Sequence, residues 1–395
     1  MNIILFDDSD IRKSLLPLTY TRPVAEIRIG ILKISEKWEK YLESSPSFQT
    51  EDYLSIKFPK RDAEENVYIN GALCPNDKLV AAIEKLTSGE SLVKEGQLLA
   101  AKCQALTHES MPLLKTIDYQ QEATMIDEVW KIFKQKAAQI ESDSKLITKG
   151  RTSVNITDLH TIVYGKENIF IEEGASIKAA IINAENGPVY IGKNTHIHEG
   201  AIIKGSFAMC EGSHVNMGAK IKGDSTIGPF SKVGGEMSNS VILGYSNKGH
   251  DGFIGNSVIG QWCNLGADTN TSNLKNNYDT VKLWNYEKGG FKNTGEQFCG
   301  LIMGDHSKAG INTMFNTGTV VGVSANIFGA GFPKNFLPSF TWGGAAGLST
   351  FQKRKADEVA ERVMARRNIE YSEIDQEIMK HIFEITSSYR IWDKE

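Results

Sequence analysis

The sequence predicts three successive parts: an α/β domain, a parallel β-solenoid of triangular cross-section and a C-terminal helical tail. Three observations support this: mixed strand and helix patterns in the first part, a six-residue period of aliphatic residues in the middle, and an amphipathic pattern at the end. We place the boundaries at 1–155, 156–335 and 336–395. The net charge of −4, from 44 Lys and Arg against 48 Asp and Glu, does not indicate a surface for nucleic acid or anionic membranes.

The first part contains short strand and helix signals. The run NIILF at 2–6 predicts a buried strand, and residues 67–69 predict another. Apolar residues at helical spacing predict a helix over 27–43 and a second one over 124–140, which leads into the middle part. This mixture predicts an α/β domain.

Aliphatic residues recur every six positions in the middle part. This period fits neither a helix nor a simple strand, but it fits a triangular coil with one inward side chain per side. Small residues stand two positions before most slots, where the backbone must bend. Coils are expected over 163–332, with a small loop at 184–188 and a polar segment at 269–298 that should protrude. The consecutive slots are Ile191, Ile197, Ile203, Met209, Val215, Ile221, Ile227 and Val233.

The last part and the cysteines bear on assembly and location. Residues 351–390 carry apolar residues at helical spacing, which predicts an amphipathic helix on the end of the solenoid or on a neighbouring subunit. The five cysteines are widely spaced and form no C-x-x-C pair, which favours reduced thiols in a cytoplasmic protein. No apolar run approaches the roughly 18 residues of a membrane-spanning helix.

The strongest candidate for chemistry is the stretch SNKGHDGFIG at 246–255. His250 stands there on a polar, glycine-bearing segment outside the aliphatic slots. Histidine is the usual general base near neutral pH, and an imidazole can take the proton that an amine loses when it attacks a thioester. We therefore select His250 as the candidate base, although a lone histidine is more often a surface residue.

Together with NLGA at 264–267, NLK at 273–275 and GDHSKAGIN at 304–312, this stretch resembles the acetyltransferase half of bifunctional sugar-1-phosphate nucleotidyltransferases/acetyltransferases. The resemblance implies a left-handed solenoid in a homotrimer. It also implies transfer of an acyl group from acetyl-CoA to an amino sugar phosphate.

The same resemblance implies roles for individual residues. Asn264 and Asn273 would act with His250 by holding the substrate or the acyl carbonyl. Phe253 replaces a tyrosine of the family, so the phenolic hydroxyl is missing and substrate handling is expected to differ. The implied substrate-binding residues are Lys248, Phe253, Lys275, Lys282 and Glu236, of which Lys275 and Lys282 would bind the sugar phosphate.

A second resemblance lies near the N-terminus. The segment LPLTYTRPVA at 16–25 resembles a motif of sugar nucleotidyltransferases, in which a preceding glycine-rich loop binds nucleotide phosphates through backbone amides. Residues 5–12 have the sequence LFDDSDIR, in which carboxylates stand where the family has glycines. Val24 stands where the motif has a lysine. A divergent domain is expected, whose pyrophosphorylase activity is in question.

This second resemblance also implies ligands. Arg12 and Arg22 would contact a nucleotide, with UTP or dTTP and a sugar-1-phosphate as substrates. Asp7 and Asp8 either hold Mg²⁺ or form a capped turn at the start of a helix.

Other functions stay open at this stage. A zinc-dependent carbonic anhydrase on a solenoid would use stacked histidines, and His196 and His214 are spaced to lie one coil apart. The further histidine pair that this class needs is missing, and both side chains should point outward. A non-catalytic sugar-phosphate scaffold is favoured by Phe253 and Val24 and disfavoured by His250 in its motif. An enzyme with nucleotidyl transfer alone is the last alternative.

Overall fold

The computed structural model describes residues 1–394, which form two compact units. The first unit comprises Met1–Leu15, Thr21–Ile27 and Leu32–Glu128. The second comprises Leu16–Tyr20, Arg28–Ile31 and the chain from Val129 onward. The first of these units ends at Glu128, and the domain boundary of 155 that we placed from the sequence stays a prediction.

Helices occur in both units. Across residues 1–394 they are too short or too polar to span a membrane. The α-helices are α1 (Ser9–Ser14), α2 (Ile34–Leu42), α3 (Asp52–Ser55), α4 (Asp77–Glu84), α5 (Val129–Thr148), α6 (Lys353–Ala365) and α7 (Glu373–Ile385). Short 3₁₀ turns lie at Val24–Glu26, Met111–Leu113, Lys166–Asn168, Ser387–Tyr389 and Ile391–Lys394.

A six-stranded mixed sheet forms the core of the first unit. Its strands, in spatial order, are Ser47–Gln49, Asn2–Phe6, Asn66–Asn70, Gln97–Cys103, Glu90–Lys94 and Lys115–Asp118. The strand Asn2–Phe6 is parallel to both neighbours, and its Ile3, Ile4 and Leu5 are all buried. Burial of consecutive residues explains why this strand reads as a continuous apolar run. The two strands predicted in this part are thereby confirmed. A separate antiparallel pair joins Leu73–Cys74 to Thr124–Met125.

The helix predicted over 27–43 is shorter than expected. It begins at Ile34, because Gly30 lies at φ +81° and leaves helical geometry. The amide of Ile31 donates instead to the carboxylate of Asp143 in α5 at 2.8 Å. The helix predicted over 124–140 begins only at Val129 and continues to Thr148.

The second unit is a parallel β-solenoid with three faces. Face 1 is a six-stranded sheet of Ile162–Tyr164, Ile181–Asn183, Ile202–Lys204, Lys220–Lys222, Glu236–Ser238 and Phe253–Gly255, followed by the pair Asn270–Thr271 and Met314–Phe315. Face 2 has nine strands: Ile169–Ile171, Val189–Ile191, Phe207–Met209, Ser225–Ile227, Val241–Gly244, Val258–Gln261, Ile302–Met303, Val320–Val321 and Phe336–Leu337. Face 3 has ten: Ser176–Ile177, His196–Ile197, His214–Val215, Lys232–Val233, Asn247–Lys248, Asn264–Leu265, Lys308–Ala309, Asn326–Ile327, Thr341–Gly344 and the antiparallel Gly347–Thr350.

The interior of the solenoid confirms the six-residue period. All eight slot residues, from Ile191 to Val233, are at most 1% exposed and belong to one continuous core. The small residues before the slots lie at the corners, where their hydroxyls close the turns. Thr195 Oγ1 donates to the carbonyl of Gly192 at 2.8 Å, and Ser213 Oγ donates to that of Cys210 at 2.6 Å. The predicted register is therefore correct.

Two additions cover parts of the solenoid. Helix α5 packs across face 2 from Phe207–Met209 to Val258–Gln261. The segment predicted to protrude over 269–298 instead forms an antiparallel hairpin, Lys282–Asn285 with Gly290–Asn293. Its Trp284 stacks on Phe336 with ring centroids 4.1 Å apart, so the hairpin packs on the solenoid.

The tail consists of two helices rather than one continuous amphipathic stretch. Helices α6 and α7 pack on each other, and Ser372 caps α7 through a hydrogen bond from the amide of Asp375. The ring of Phe383 in α7 meets the edge of Phe340 in the solenoid at 4.9 Å. The tail thus packs on the solenoid of its own chain.

Candidate active site

His250 lies at the corner of the solenoid between face 3 and face 1. Residues 249–252 form the turn that joins Asn247–Lys248 to Phe253–Gly255. The backbone here is crowded, since a Cβ at Gly234 in the coil below would overlap the carbonyl oxygen of Gly249. Gly252 adopts φ +114°, a conformation that other residues rarely reach. The glycines around His250 therefore have a backbone role.

A buried lysine supports this turn from inside. Lys248 is 1% exposed and lies in register with the core residue Val233. Its Nζ donates to the carbonyls of His250 and Asp251, at 2.6 Å each. Burial lowers the pKa of Lys248 to about 8, although Asp251 and Asp268 oppose the shift. The ammonium of Lys248 is therefore enclosed and holds the backbone of the turn, and contact between Lys248 and substrate stays a prediction.

Side-chain and backbone groups of other coils fix the same turn, Asn216 from two coils below and Asp268 from the coil above. Asn216 Nδ2 donates to the carbonyl of Gly249 at 2.7 Å. The amide of Asp268 donates to the carbonyl of Asp251 at 2.9 Å. The position of the His250 backbone is therefore defined by contacts with the coils below and above it.

The imidazole of His250 is exposed and faces a cleft of about 760 Å³. It makes no hydrogen bond within residues 1–394. Asn264, from the next coil, lines the same cleft and is also exposed. The structure thus brings together two of the three predicted catalytic residues, as their spacing suggested, while their roles stay predictions.

Asn247 is a further polar residue of this cleft that sequence reasoning missed. It lies in register with Asn264 on face 3. Its Oδ1 is shielded from solvent and accepts no hydrogen bond from any described residue. Its place within the SNKGH stretch was the available signal.

Cationic and aromatic side chains form the walls of the cleft. Lys232, Arg366 and Arg367 contribute positive charge, the arginines from the end of α6. Lys308 is committed elsewhere, since its Nζ donates to the carbonyls of Trp262 and His306 at 2.7 and 2.8 Å. Burial lowers the pKa of this lysine to about 8. The arginines could not be placed from sequence because they belong to the tail.

An aromatic stack runs along one wall. Tyr245 and Trp262 are parallel with ring centroids 4.3 Å apart, and Phe230 stacks on Tyr245 at 5.4 Å. These residues occupy equivalent corners of successive coils, each with a positive φ. Tyr245 and Trp262 of this stack line the cleft, so aromatic rings lie there beside a set of cations.

Other predicted site residues lie away from this cleft. Glu236 and Phe253 are adjacent on face 1, and Glu236 forms an ion pair with Lys222 at 2.8 Å. Asn273 donates to Asn256 Oδ1 at 2.8 Å. None of these three side chains lines the His250 cleft.

The two loop lysines are also separate from His250 within the chain. Lys275 and Lys282 line a different cleft, beside the hairpin. The cause is the direction of the inserted segment, which leaves after Asn270–Thr271 on face 1 and returns before Ile302–Met303 on face 2. It therefore emerges at a different corner from His250.

The carboxylates near the N-terminus are fully engaged. Asp7 Oδ1 accepts from the amide of Val24 at 2.8 Å, and Oδ2 accepts from Arg12 at 2.8 Å and from Thr50 at 2.6 Å. Burial raises the pKa of Asp7 although Arg12 acts in the opposite direction. Both carboxylate oxygens of Asp7 therefore accept hydrogen bonds from the protein.

Asp8 caps helix α1. Its Oδ1 accepts from the amides of Asp10 and Ile11 at 3.1 Å each, and its Oδ2 accepts from Gln97 at 3.0 Å. All four oxygens of the Asp7–Asp8 pair thus have donors, and the pair does not fit a Mg²⁺ site. Of the two alternatives left open by the sequence, the capped turn is the observed one.

The two candidate nucleotide-binding arginines are internal. Arg12 and Arg22 are each 5% exposed. Arg12 pairs with Asp7, donates to the carbonyl of Arg22 at 3.1 Å and contacts the hydroxyl of Tyr53 at 3.1 Å. Arg12 therefore stabilises the segment that replaces the glycine-rich loop, and a role in nucleotide binding stays a prediction.

The stacked histidines lie on face 3. His196 and His214 are in register, with ring centroids 4.6 Å apart, and His198 stacks beside them. Burial and the neighbouring His196 lower the pKa of His214 to about 4. Within residues 1–394, no group of three His, Cys, Asp or Glu side chains has the arrangement of a metal site.

The sequence of this chain was compared with those of known proteins and protein families. Residues 3–152 match the model of the family described as sugar nucleotidyl transferase. A bifunctional sugar-1-phosphate nucleotidylyltransferase/acetyltransferase of Sulfurisphaera tokodaii is 26% identical over 177 residues, which is 44% of this chain and 42% of that protein. An uncharacterized acetyltransferase of Escherichia coli, YaiX, is 29% identical over 164 residues, 41% of this chain and 70% of that protein.

A third relative is the bifunctional protein GlmU of Methanocaldococcus jannaschii, 34% identical over 87 residues, 22% of this chain and 21% of that protein. The chain thus spans less than half the length of the first and third relatives. The crystal structure of the polySia-specific acetyltransferase NeuO matches 51% of this chain and 98% of its own, at 14% identity and a TM-score of 0.29, too low to carry an argument. The N-terminal segment therefore matches the sugar nucleotidyl transferase family, and the chain is similar in sequence to bifunctional sugar-1-phosphate nucleotidylyltransferases/acetyltransferases.

Proposed function

We propose that the solenoid transfers an acyl group, in the first instance acetyl, from acyl-CoA to the amino group of a sugar phosphate. The observation that carries this proposal is the exposed imidazole of His250 in a cleft that also holds Asn264 and a group of cations. Names of relatives that include acetyltransferase support the same class of reaction.

In the proposed step, the amine attacks the carbonyl carbon of the thioester. The C–N bond forms while the C–S bond breaks, and His250 accepts the proton that the amine loses. The departing CoA thiolate is then protonated by the imidazolium, which restores the base. A base positioned in this way contributes roughly 10²–10⁴-fold.

The negative charge that develops on the carbonyl oxygen needs a donor. Asn264 is the candidate, because its amide lies in the same cleft and an amide N–H can stabilise an oxyanion. The rigid support of the His250 turn by Lys248 and Asn216 matters for the same reason, since the base must be held in place.

Both substrates carry phosphate groups, and the cleft provides positive charge for them. Arg366 is an exposed cation of the wall, and Lys232 and Arg367 are half-exposed ones. Guanidinium groups bind phosphate with two parallel hydrogen bonds, and a cationic cleft increases the local concentration of anionic substrate. The sugar, the acyl group and a homotrimeric assembly stay predictions.

Nucleotidyl transfer from UTP or dTTP to a sugar-1-phosphate is the second candidate, for the first unit. The family match over residues 3–152 favours it. The engaged carboxylates of Asp7 and Asp8 give it no metal site of the kind that we considered from the sequence. We therefore place this activity second.

Thiol release tests the proposed acyl transfer. The protein is incubated with acetyl-CoA and either an amino sugar phosphate or the same sugar phosphate with a hydroxyl in place of the amine. We expect free CoA only with the amine, together with an N-acetylated product by mass spectrometry. Absence of product with every amino sugar phosphate, or release that does not depend on the acceptor, would refute acyl transfer.

A further inference from the structure

A second cleft, of about 980 Å³, lies beside the hairpin and shares no residue with the His250 cleft. Its walls come from the hairpin, the last coil of face 2 and the end of the tail. Aromatic side chains dominate, and they are Trp284, Phe291, Phe336, Tyr389 and Trp392. The volume is in the range of small-molecule sites.

The aromatic wall is ordered by its own contacts. Trp284 stacks on Phe336 at 4.1 Å, and Phe291 meets the edge of Trp284 at 5.6 Å. Tyr389 stands perpendicular to Phe336 at 5.8 Å. Rings held in this way need no reordering when a planar ligand arrives, so the entropic cost of binding is low.

Some apolar side chains of this wall remain exposed, and one of its polar atoms has no hydrogen-bond partner among the described residues. Phe291 is 43% exposed and Ile391 is 62% exposed, although both face a cleft. The indole Nε1 of Trp284 is buried and donates to no acceptor among residues 1–394. A ligand with a planar apolar ring would cover the exposed faces of Phe291 and Ile391.

Three lysines give the cleft a positive charge. Lys275, Lys282 and Lys334 line it, and no carboxylate of the described residues does. Lys275 is partly engaged, since its Nζ donates to the carbonyl of Thr280 at 2.7 Å and lies 3.9 Å from Asp279. Several ammonium groups around an aromatic wall match a ligand with an aromatic ring and at least two negative charges.

We infer that this cleft binds a nucleoside diphosphate group, with the base against the wall of Trp284 and Phe291 and the phosphates against Lys275, Lys282 and Lys334. This assignment does not rest on acyl transfer, because the cleft and the His250 site have no residue in common. The same chemical group occurs in free nucleotides, in sugar nucleotides and in CoA.

Fluorescence quenching tests this inference, because Trp284 and Trp392 line the cleft. The full chain is titrated with UDP, ADP, a UDP-sugar and CoA, and separately with uridine and with pyrophosphate. For every ligand, only the quenching that Lys282→Glu removes is assigned to this cleft, because Trp262 lines the His250 cleft, where acyl-CoA is proposed to bind. We expect saturable quenching by at least one diphosphate ligand, and at least tenfold weaker binding of uridine and pyrophosphate. The strongest ligand identifies the source of the group.

Charge reversal separates this cleft from any nucleotide site in the first unit. Lys282→Glu should weaken binding at least tenfold, since Lys282 is exposed at the cleft and its replacement repels phosphate. Lys204→Glu, at an exposed lysine of face 1, is the matched control and should bind like the wild type. Equal affinity of Lys282→Glu and the wild type, or no saturable quenching by any diphosphate ligand, would overturn the inference.

Discussion

Replacing Lys248 with Met tests whether the buried lysine positions the candidate base. Met is similar in length and apolar, so it should fit the core slot. The variant removes the donor to the carbonyls of His250 and Asp251. The carbonyl of Asp251 still accepts a hydrogen bond from the amide of Asp268 in this variant, whereas the carbonyl of His250 has no other donor within residues 1–394.

The expected magnitude follows from that difference. One carbonyl without a donor costs about 1–3 kcal/mol, and removal of a buried ammonium offsets part of this cost. The free energy of unfolding should therefore change by about 2 kcal/mol or less, and the variant should fold. Turnover should fall more, by about 10–10²-fold, because a shift of the base by about 1 Å is costly for catalysis.

Urea unfolding and steady-state kinetics on acetyl-CoA and an amino sugar phosphate measure both effects. Lys204→Met, at an exposed lysine of face 1, is the control and should leave both unchanged. A loss in kcat with little change in KM would indicate a positioning role. A folded Lys248→Met variant with wild-type turnover would refute the reasoning.

The pH dependence of stability gives a second readout for the same variant. Burial lowers the pKa of Lys248 from 10.5 to about 8, so the unfolded chain binds this proton more tightly than the folded one. Its contribution to stability is thus constant below about pH 8 and rises from there towards pH 10.5. The unfolding free energy of the wild type minus that of Lys248→Met should rise over this interval. A difference that falls would contradict burial of the charged form.

Three further outcomes are expected. Ile203→Asp should lower the unfolding free energy by several kcal/mol, because it buries a carboxylate in the core. Ile202 lies on the same strand and its side chain is 45% exposed, so Ile202→Asp should cost little. Equal melting temperatures of the two variants would contradict the register. Asp8→Ala should cost about 1 kcal/mol in urea unfolding through loss of the cap of α1, and no loss would show that the cap is unimportant. With Mg²⁺, UTP or dTTP and a sugar-1-phosphate, little pyrophosphate should be released; rapid release that Arg22→Ala abolishes would show a working nucleotidyltransferase.

The solenoid could be predicted because its signal is local and repeated. Each slot from Ile191 to Val233 is set by the same geometry, so the pattern specifies the inward side chains without any tertiary information. The strand Asn2–Phe6 was predictable for a similar reason, since a strand buried on both faces reads as an uninterrupted apolar run.

The site was only partly predictable, because some of its contacts depend on irregular coils. Lys248 lies in register with Val233, but the coil that separates them is shorter than the preceding ones. The six-residue period therefore did not predict that Lys248 points inward. The position of Lys282 depends on the packing of Trp284 against Phe336, a contact between segments far apart in the chain. Arg366 reaches the His250 cleft through the fold of the tail, which no motif announces.

Acyl transfer by the solenoid depends most on His250 as its base. The direct measurement is the single-turnover rate of N-acetylation by the wild type, by His250→Ala and by His160→Ala, an exposed histidine that does not line the cleft. His250→Ala should lose roughly 10²-fold or more while it keeps the melting temperature of the wild type, because its side chain is exposed. The wild-type rate should also fall on acidification, since a protonated imidazole cannot accept a proton, and His160→Ala should behave like the wild type. An unchanged rate in a folded His250→Ala variant would remove His250 from the mechanism.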